Sequence, residues 1–155
     1  MNNIIISKYK PKYSNSFYQL NKEWINDFWH LEDSDLHNLL NPEQSIIDLG
    51  GEIFFAILNN KVIGTSAMIP SKISGVYELA KMTVHKNYRG HGISKELLEN
   101  CIYFAINKNA TEIFLISNRL LLIARALYDK YGFKEVPLTS TKYARGDVKM
   151  RLSLI

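Results

Sequence analysis

The fold of this chain is decided by the stretch Lys81-Met-Thr-Val-His-Lys-Asn-Tyr-Arg-Gly-His-Gly-Ile-Ser-Lys-Glu-Leu-Leu98. The stretch begins as an apolar, β-branched run, which predicts a strand, and it ends in the spacing of an amphipathic helix. Between the two lies the basic turn Arg89-Gly90-His91-Gly92. A glycine turn that opens a helix presents unpaired N–H groups at the positive end of the helix dipole, and its glycines have no Cβ to keep a ligand away. The turn therefore predicts an anion site suited to phosphate, and a tight connection with a basic tip is the alternative.

Length and composition predict one globular domain that covers residues 1–155. The apolar content of 46% and the charged content of 22% are ordinary for a soluble protein of this size. A net charge of +4 suits a ligand that carries phosphate, but the clustered basic face of a nucleic-acid binder is lacking. The single cysteine, Cys101, excludes an internal disulfide and fits a reducing compartment. With no leader and no long apolar span, we expect a cytoplasmic protein that binds neither nucleic acid nor a membrane.

The N-terminal half predicts one strand and two helices. Ile4-Ile-Ile6 indicates the strand, and apolar residues at three- and four-residue spacings from Tyr13 onward indicate the first helix. A second helix is predicted from Leu31 to Leu40, with Asp33 or Ser34 as its N-cap. The acidic residues of this segment predict a solvated face and favourable charge at a helix N-terminus; they are Glu32, Asp33 and Asp35.

The middle of the chain predicts three consecutive antiparallel strands. Two apolar runs, residues 53–58 and 62–69, are joined by Asn59-Asn60, which is typical of a β-hairpin. A loop leads to the third strand, residues 76–85, which runs into the glycine turn.

The last third of the chain predicts alternating helices and strands. Cys101 lies on the apolar face of the helix after the glycine turn, so we expect a packed thiol and not a nucleophile. The strand at residues 112–117 should pair in parallel with the strand before the turn. A helix at about residues 121–130 and closing strands at 133–136 and 148–154 complete a mixed α/β sheet with helices on both faces.

The turn resembles the coenzyme A pyrophosphate loop of the GNAT superfamily of acyl-CoA-dependent N-acyltransferases. That loop reads Arg or Gln, two residues, Gly, one residue, then Gly or Ala, and Ser94 is the one departure in Arg89-Gly90-His91-Gly92-Ile93-Ser94. The likeness extends upstream through residues 78–84 and downstream to residues 126–133. It implies the GNAT fold, a mostly antiparallel central sheet with one parallel, splayed strand pair, and coenzyme A bound at the N–H groups of residues 89–94.

The resemblance also implies an activity: transfer of an acetyl group from acetyl-CoA to a primary amine by direct attack in a ternary complex, with no metal ion. The main chain of Met82, Thr83 and Val84 would bind the pantetheine arm and the acyl oxygen. Tyr128 would protonate the leaving thiolate; a tyrosine that only packs on the core is the alternative, and Tyr131 is the second candidate. Glu78 would take the proton of the amine through water, and an ordinary surface or ion-paired glutamate is the alternative.

Several assignments stay open from the sequence. Members of the family carry an asparagine that binds the coenzyme A arm, seven residues before the tyrosine. This chain has Leu121 at that position. Either Asn118 makes the same contact or the contact is absent. His85 has a suitable pKa for a base but is expected to lie too far from the acyl group. The expected acceptor is a small-molecule or peptide amine. Some of its candidate binding residues favour a cation and others favour a carboxylate. A homodimer is left open. The alternative function is a module that binds acyl-CoA without turnover. The candidate acceptor residues are Trp24, Trp29, Glu32, Asp35, Tyr143 and Arg145.

Overall fold

Within residues 3–139 and 143–155, which the computed structural model describes, the chain forms four α-helices and seven β-strands. The helices are α1 (Ser14–Phe28), α2 (Asp33–Leu40), α3 (Ile93–Asn107) and α4 (Leu122–Lys130). The strands are β1 (Ile5–Lys8), β2 (Glu52–Leu58), β3 (Lys61–Pro70), β4 (Val76–Val84), β5 (Glu112–Ser117), β6 (Lys134–Val136) and β7 (Val148–Ser153). Short helical turns at Pro11–Tyr13, Glu43–Ile47 and Lys86–Tyr88 connect them.

All seven strands join one sheet in the order β1-β2-β3-β4-β5-β7-β6, and only the β4–β5 pair is parallel. The predicted order of elements and the predicted fold class, a mixed sheet with one parallel pair, are both confirmed. The predicted β2–β3 hairpin is confirmed as well. Asn59 and Asn60 have φ angles of 49° and 66°, the left-handed conformation that a tight two-residue hairpin requires.

Both faces of the sheet are covered, which the alternation along β2 shows. Ile53 and Phe55 pack into a cluster with α1 and α2, whereas Phe54 and Ala56 pack into a larger cluster with α3 and α4. Cys101 belongs to this larger cluster and is fully buried, so the predicted packed thiol is confirmed. No helix within the described ranges is both long and apolar enough to cross a lipid bilayer.

Strand β4 contains a β-bulge close to its middle. Thr65 and Ala67 on β3 pair with Thr83 and Ala80, so that one residue of β3 faces two residues of β4, Lys81 and Met82. Lys81 has a φ of 53°, a left-handed conformation that costs a residue with a Cβ about 1 to 2 kcal/mol. The surrounding contacts must therefore hold this peptide in place.

Strands β4 and β5 start as neighbours and then separate. Their parallel pairing runs from Val76 opposite Glu112 to Glu78 opposite Phe114, and it stops there although β4 continues to Val84. β5 stays paired with β7 along its whole length, so it is β4 that loses its neighbour. The separation leaves a gap in the sheet beside the bulge.

One detail of the N-terminal half differs from the prediction. Helix α2 is capped by Glu32 and not by Asp33 or Ser34. The Glu32 side chain accepts from the backbone of Asp35, and the Asp35 side chain accepts from the N–H of Glu32, at 3.0 Å. This reciprocal capping box turns Asp35 toward the protein interior.

Candidate active site

A cavity of about 100 Å³ opens where β4 and β5 separate. Its walls come from α1, α4, both strands and the loop that precedes β7, so residues distant in sequence meet there. Four of the predicted catalytic and coenzyme-binding residues line it: Glu78, Met82, Asn118 and Tyr128. Four of the six candidate acceptor residues line it as well: Trp24, Trp29, Tyr143 and Arg145. The predicted Thr83 and Val84 continue along β4 beyond the cavity, toward the glycine turn.

The bulge in β4 places a backbone donor beside the cavity. The carbonyl of Lys81 accepts a hydrogen bond from Thr65 Oγ1 at 2.9 Å, and Thr65 Oγ1 accepts one from Asn21 Nδ2 at 3.1 Å. The peptide bond between Lys81 and Met82 is trans, so its N–H points opposite to its carbonyl. The N–H of Met82 therefore points away from the Thr65 hydroxyl, and Met82 itself lines the cavity. A backbone donor in that place can stabilise an oxyanion.

Tyr128 lies on the cavity wall with only 8% of its surface exposed. Its ring packs against Phe133 at a centroid distance of 5.8 Å. Burial, with a smaller contribution from Cys101, raises the pKa of the Tyr128 phenol, so the hydroxyl keeps its proton in solutions of ordinary pH. Tyr131 is engaged elsewhere: its hydroxyl donates to Glu99 Oε2 at 2.9 Å.

Glu78 lies at the closed end of the gap, in the last pair that joins β4 to β5. It is 5% exposed and lines the cavity, so it is not a surface residue. A buried carboxylate at this point can accept a proton directly or through water. His85 lies outside this cavity, where its Nδ1 accepts from the N–H of Asn87 at 3.2 Å.

Behind the cavity wall, the structure forms a buried ion cluster that the sequence did not predict. Asp35 Oδ1 lies 2.6 Å from Lys81 Nζ and 2.7 Å from Arg145 Nη2, and Asp35 Oδ2 lies 2.9 Å from Arg145 Nη1. The predicted solvated acidic face is therefore wrong for Asp35, which is fully buried. Glu32 joins from the outside, 3.3 Å from Arg145 Nη1.

The charges in this cluster depend on each other. Burial alone would raise the pKa of the Asp35 carboxyl, but the hydrogen bonds from Arg145 and the charge of Lys81 hold that pKa far below its usual range. Burial also lowers the pKa of the Lys81 ammonium, and the charge of Asp35 opposes that shift. Lys81 Nζ and Arg145 Cζ each lie 4.7 Å from the ring centroid of Tyr143.

Asn118 lines the cavity, but its side-chain amide forms hydrogen bonds to other parts of the protein. Its Nδ2 donates to the carbonyl of Arg145 at 2.7 Å, and its Oδ1 accepts from the N–H of Leu120 at 2.9 Å. Asn118 thus ties the start of the β5–α4 connection to the loop that carries Arg145. A contact between Asn118 and coenzyme A stays a prediction.

The glycine turn lies past the outer end of β4. Gly90 and Gly92 have φ angles of 82° and 78°, and a Cβ placed on either would meet no atom of the described residues within 4 Å. Arg89 Nε donates to the carbonyl of Val84 at 3.1 Å and so fixes the turn to the strand. Gly92 is the residue before α3, and it has no side chain that could accept a hydrogen bond from the first turn. The first N–H groups of the helix are therefore left without a side-chain cap.

The remaining residues of the turn differ in what they can offer to a ligand. Ile93 is 2% exposed and packs in the core, so only its N–H is available. His91 is exposed and Ser94 is half-buried. The last residues of β4, Thr83 and Val84, lead from the cavity to the glycine turn and the N-terminus of α3, a place where N–H groups can bind an anion.

Sequence comparisons relate the chain to known acetyltransferases. A family model for the acetyltransferase (GNAT) domain matches residues 50–135, more than half of the chain. N-acetylaspartate synthetase from Xenopus tropicalis is 34% identical over 108 residues, which is 69% of this chain and 40% of that protein. N-acetyltransferase 8B from Homo sapiens is 29% identical over 92 residues, 57% of this chain and 40% of that protein. The chain thus spans less than half the length of these relatives.

Solved structures share the fold over nearly the whole chain. A GNAT-family acetyltransferase from Staphylococcus aureus Mu50 superposes with a TM-score of 0.89 at 24% identity and covers 99% of this chain and 100% of that one. An acetyltransferase from Salmonella typhimurium, solved with its cofactor acetyl-CoA, has a TM-score of 0.78 at 18% identity and covers 99% of this chain and 95% of that one. The family model and the shared fold lead to one conclusion: the chain belongs to the GNAT family of acetyltransferases.

Proposed function

We propose that the chain transfers an acetyl group from acetyl-CoA to a primary amine by direct attack in a ternary complex. The observation that carries this proposal is the meeting of three residues at one cavity: Met82, which has a backbone N–H, Tyr128, which has a hydroxyl, and Glu78, which has a carboxylate. Together they can supply an oxyanion donor, an acid and a base. These are the three functions that acyl transfer to an amine requires.

Direct attack is favoured because the one cysteine of the chain is unsuited to hold the acyl group. Cys101 is fully buried, and burial raises the pKa of its thiol to about 12. Its Sγ donates to Ser66 Oγ at 3.2 Å, inside the core. A nucleophilic cysteine needs a thiolate and access to substrate, and Cys101 has neither.

Each group at the cavity has a separate task. Glu78 would remove the proton of the alkylammonium, a step that costs about 4 to 5 kcal/mol at neutral pH. As the amine forms its bond to the acyl carbon, the N–H of Met82 would stabilise the developing oxyanion. When the carbon–sulfur bond breaks, Tyr128 would give its proton to the thiolate. Burial raises the pKa of Tyr128, but a thiolate formed in the same cavity is equally deprived of water.

The residues also fit acetyl-CoA as the acetyl donor. The open space above Gly90 and Gly92 admits an anion, and the uncapped N–H groups of α3 can bind its oxygens. The gap beside β4 leads from this turn to the cavity, so a long ligand could bind by its phosphates and present its acyl end at Met82.

The test is an amine panel assayed for free thiol release from acetyl-CoA, with mass spectrometry of the acetylated product. Relatives named N-acetylaspartate synthetase make an amino acid a natural member of the panel. We expect thiol release that depends on one class of amine. If no amine is acetylated while coenzyme A binds tightly, the module that binds acyl-CoA without turnover is the better description.

Replacing Gly92 with Val is expected to weaken coenzyme A binding by at least about tenfold, the loss of a hydrogen bond to a charged group. The valine side chain would enter the open space over the turn, where its Cβ would meet no atom of the described residues within 4 Å. Isothermal titration with coenzyme A measures the effect.

The control for this change is Gly50→Val. Gly50 has a φ of 98° and open space around it, so a valine there introduces comparable backbone strain at a loop away from the cavity. Coenzyme A affinity should survive in the Gly50 variant. Unchanged affinity in a folded Gly92→Val protein, or an equal loss in both variants, would remove the turn from the binding site.

Replacing Glu78 with Gln is expected to lower turnover most at neutral pH and least at high pH. The amine is an ammonium at neutral pH and needs a base, whereas above its pKa it is neutral without help. The measurement is the ratio of variant to wild-type kcat from pH 7 to pH 10. A ratio that does not change with pH would make Glu78 a structural residue.

A further inference from the structure

We propose that the acceptor amine carries a carboxylate and that Arg145 binds this carboxylate at the cavity wall. The inference rests on the proposed function and adds the substrate class. It requires an arginine that is held in place, has donors to spare and faces the cavity, and the structure shows each of these properties.

Arg145 is held from behind. Its two terminal nitrogens form a bidentate pair with Asp35, at 2.9 and 2.7 Å, and Glu32 accepts a further hydrogen bond from Nη1 at 3.3 Å. Asn118 fixes the carbonyl of Arg145 at 2.7 Å. Arg145 lines the cavity and Asp35 does not, so the carboxylate of Asp35 lies on the side away from a ligand. A guanidinium fixed in this way loses little freedom when a ligand binds.

The guanidinium has a second edge with two donors. The pair with Asp35 and the contact with Glu32 use both hydrogens of Nη1 and one of Nη2. Within the two described ranges of the chain, the N–H of Nε and the other hydrogen of Nη2 have no protein acceptor. These two hydrogens lie on one side of the planar group, where they match the two oxygens of a carboxylate.

Two cations of the ion cluster lie at the cavity wall, where a ligand carboxylate can approach them. Lys81 and Arg145 both line the cavity, and both pair with the single fully buried carboxylate of Asp35. Glu32 adds negative charge only from the partly exposed outer side, where 29% of its side chain remains accessible. Asp35 and Glu32 together balance the charges of Lys81 and Arg145. A ligand carboxylate on the cavity side is therefore favoured by its closeness to the two cations and by the donors of Arg145, and not by an uncompensated positive charge.

Glu78 and Arg145 contribute opposite charges to the same cavity. Glu78 lies at the closed end of the gap, and Arg145 enters from the loop before β7. An amine could bind near Glu78 while a carboxylate of the same molecule binds to Arg145. Trp24 and Trp29 line the cavity as well and could contact a side chain. A simple alkylamine or a polyamine would leave the second edge of Arg145 without a partner.

Matched acceptors test the inference directly. Each amino acid is compared with its own carboxamide, which keeps the amine and the side chain and removes the negative charge. We expect kcat/KM for the wild-type protein to be about 10- to 100-fold higher for the acid, the size of one or two hydrogen bonds to a charged group, and to differ mainly in KM. Equal kcat/KM for acid and amide in the wild-type protein overturns the inference without any variant.

The variant Arg145→Lys tests whether Arg145 is the residue that causes the preference for the acid over the amide. Lysine keeps a positive charge near Asp35 but cannot offer a second pair of parallel donors. We expect the acid-to-amide ratio to fall toward one, because the acid loses most of its advantage. If the role of Arg145 is purely structural, kcat/KM should fall equally for the acid and the amide, and their ratio should stay the same. The matched control is Arg151→Lys, which should keep the wild-type ratio. Arg151 lies on β7, is exposed and pairs with Glu112 of β5.

A binding measurement separates this inference from the proposed function. Calorimetry with the amino acids and their amides, in the presence of coenzyme A, needs no turnover. Binding of the acid that Arg145→Lys weakens, without any acetyl transfer, would support the carboxylate site and overturn the transferase. Transfer to amines without any preference for a carboxylate would support the transferase and overturn the site. If the protein neither binds nor acetylates carboxylates, the site is excluded.

Discussion

Replacing Tyr128 with Phe is expected to lower kcat by about 10- to 1000-fold, the range for loss of one general acid, while acetyl-CoA affinity changes only a few-fold. The ring is buried against Phe133 and Tyr128 lines the cavity, so phenylalanine fits the same space. Only the proton donor is removed. Thiol-release kinetics and a titration with acetyl-CoA, made on the same preparation, measure the two effects.

Tyr131→Phe is the matched control, because Tyr131 directly follows the same helix and loses only a hydroxyl that binds Glu99. Its turnover should match the wild-type value. Wild-type turnover in a folded Tyr128→Phe protein would eliminate the acid role and leave water as the proton donor. If Tyr128→Phe loses binding and turnover together, Tyr128 holds the acetyl donor instead of protonating the product.

The sequence predicts the fold well where local chemistry determines the structure. The hairpin followed from Asn59-Asn60, since asparagine tolerates the left-handed conformation that a two-residue turn requires. The glycine turn followed from the strand before it and the helix after it. These features depend on neighbours in sequence, so the pattern contains the information.

The convergence of Glu78, Met82, Asn118 and Tyr128 at one cavity depends on more distant contacts. The resemblance to a family indicated these residues, because a family pattern already contains the tertiary arrangement. The separation of β4 from β5 is invisible in either strand alone. It results from where the pairing stops, at Glu78 opposite Phe114.

The ion cluster could not be predicted because its members lie far apart in the chain. Glu32, Asp33 and Asp35 look equivalent in the sequence, and only the direction of the capping box makes Asp35 the buried one. Its partner Lys81 lies 46 residues later, in a bulge. The left-handed backbone of this bulge could not be predicted, because lysine does not favour that conformation. The one available signal was a lysine in the middle of a mostly apolar strand, whose one other charged residue is Glu78. A lysine there is expected to need a buried partner.

Replacing Asp35 with Asn is expected to lower the free energy of unfolding by about 3 to 5 kcal/mol, the usual cost of removing one partner from a buried ion pair. Asparagine keeps the shape of the side chain but leaves Lys81 and Arg145 as two buried cations without their shared anion. For a chain of this length, the loss corresponds to a decrease in Tm of about 6 to 20 °C. Chemical and thermal unfolding measure both quantities.

The control is Asp33→Asn, in the same helical turn but exposed, which should cost less than about 1 kcal/mol through the helix dipole alone. The effect of Asp35 should also depend on pH. Because the folded protein holds the pKa of Asp35 below its unfolded value, the stabilisation is complete above that unfolded value, about pH 4, and is lost as the pH falls toward the folded pKa. The wild-type protein and the variant should therefore converge in acid. Equal losses for Asp33 and Asp35 at neutral pH would mean that the cluster contributes no net stability, and the Lys81 bulge would then be held by the Asn21–Thr65 hydrogen bonds alone.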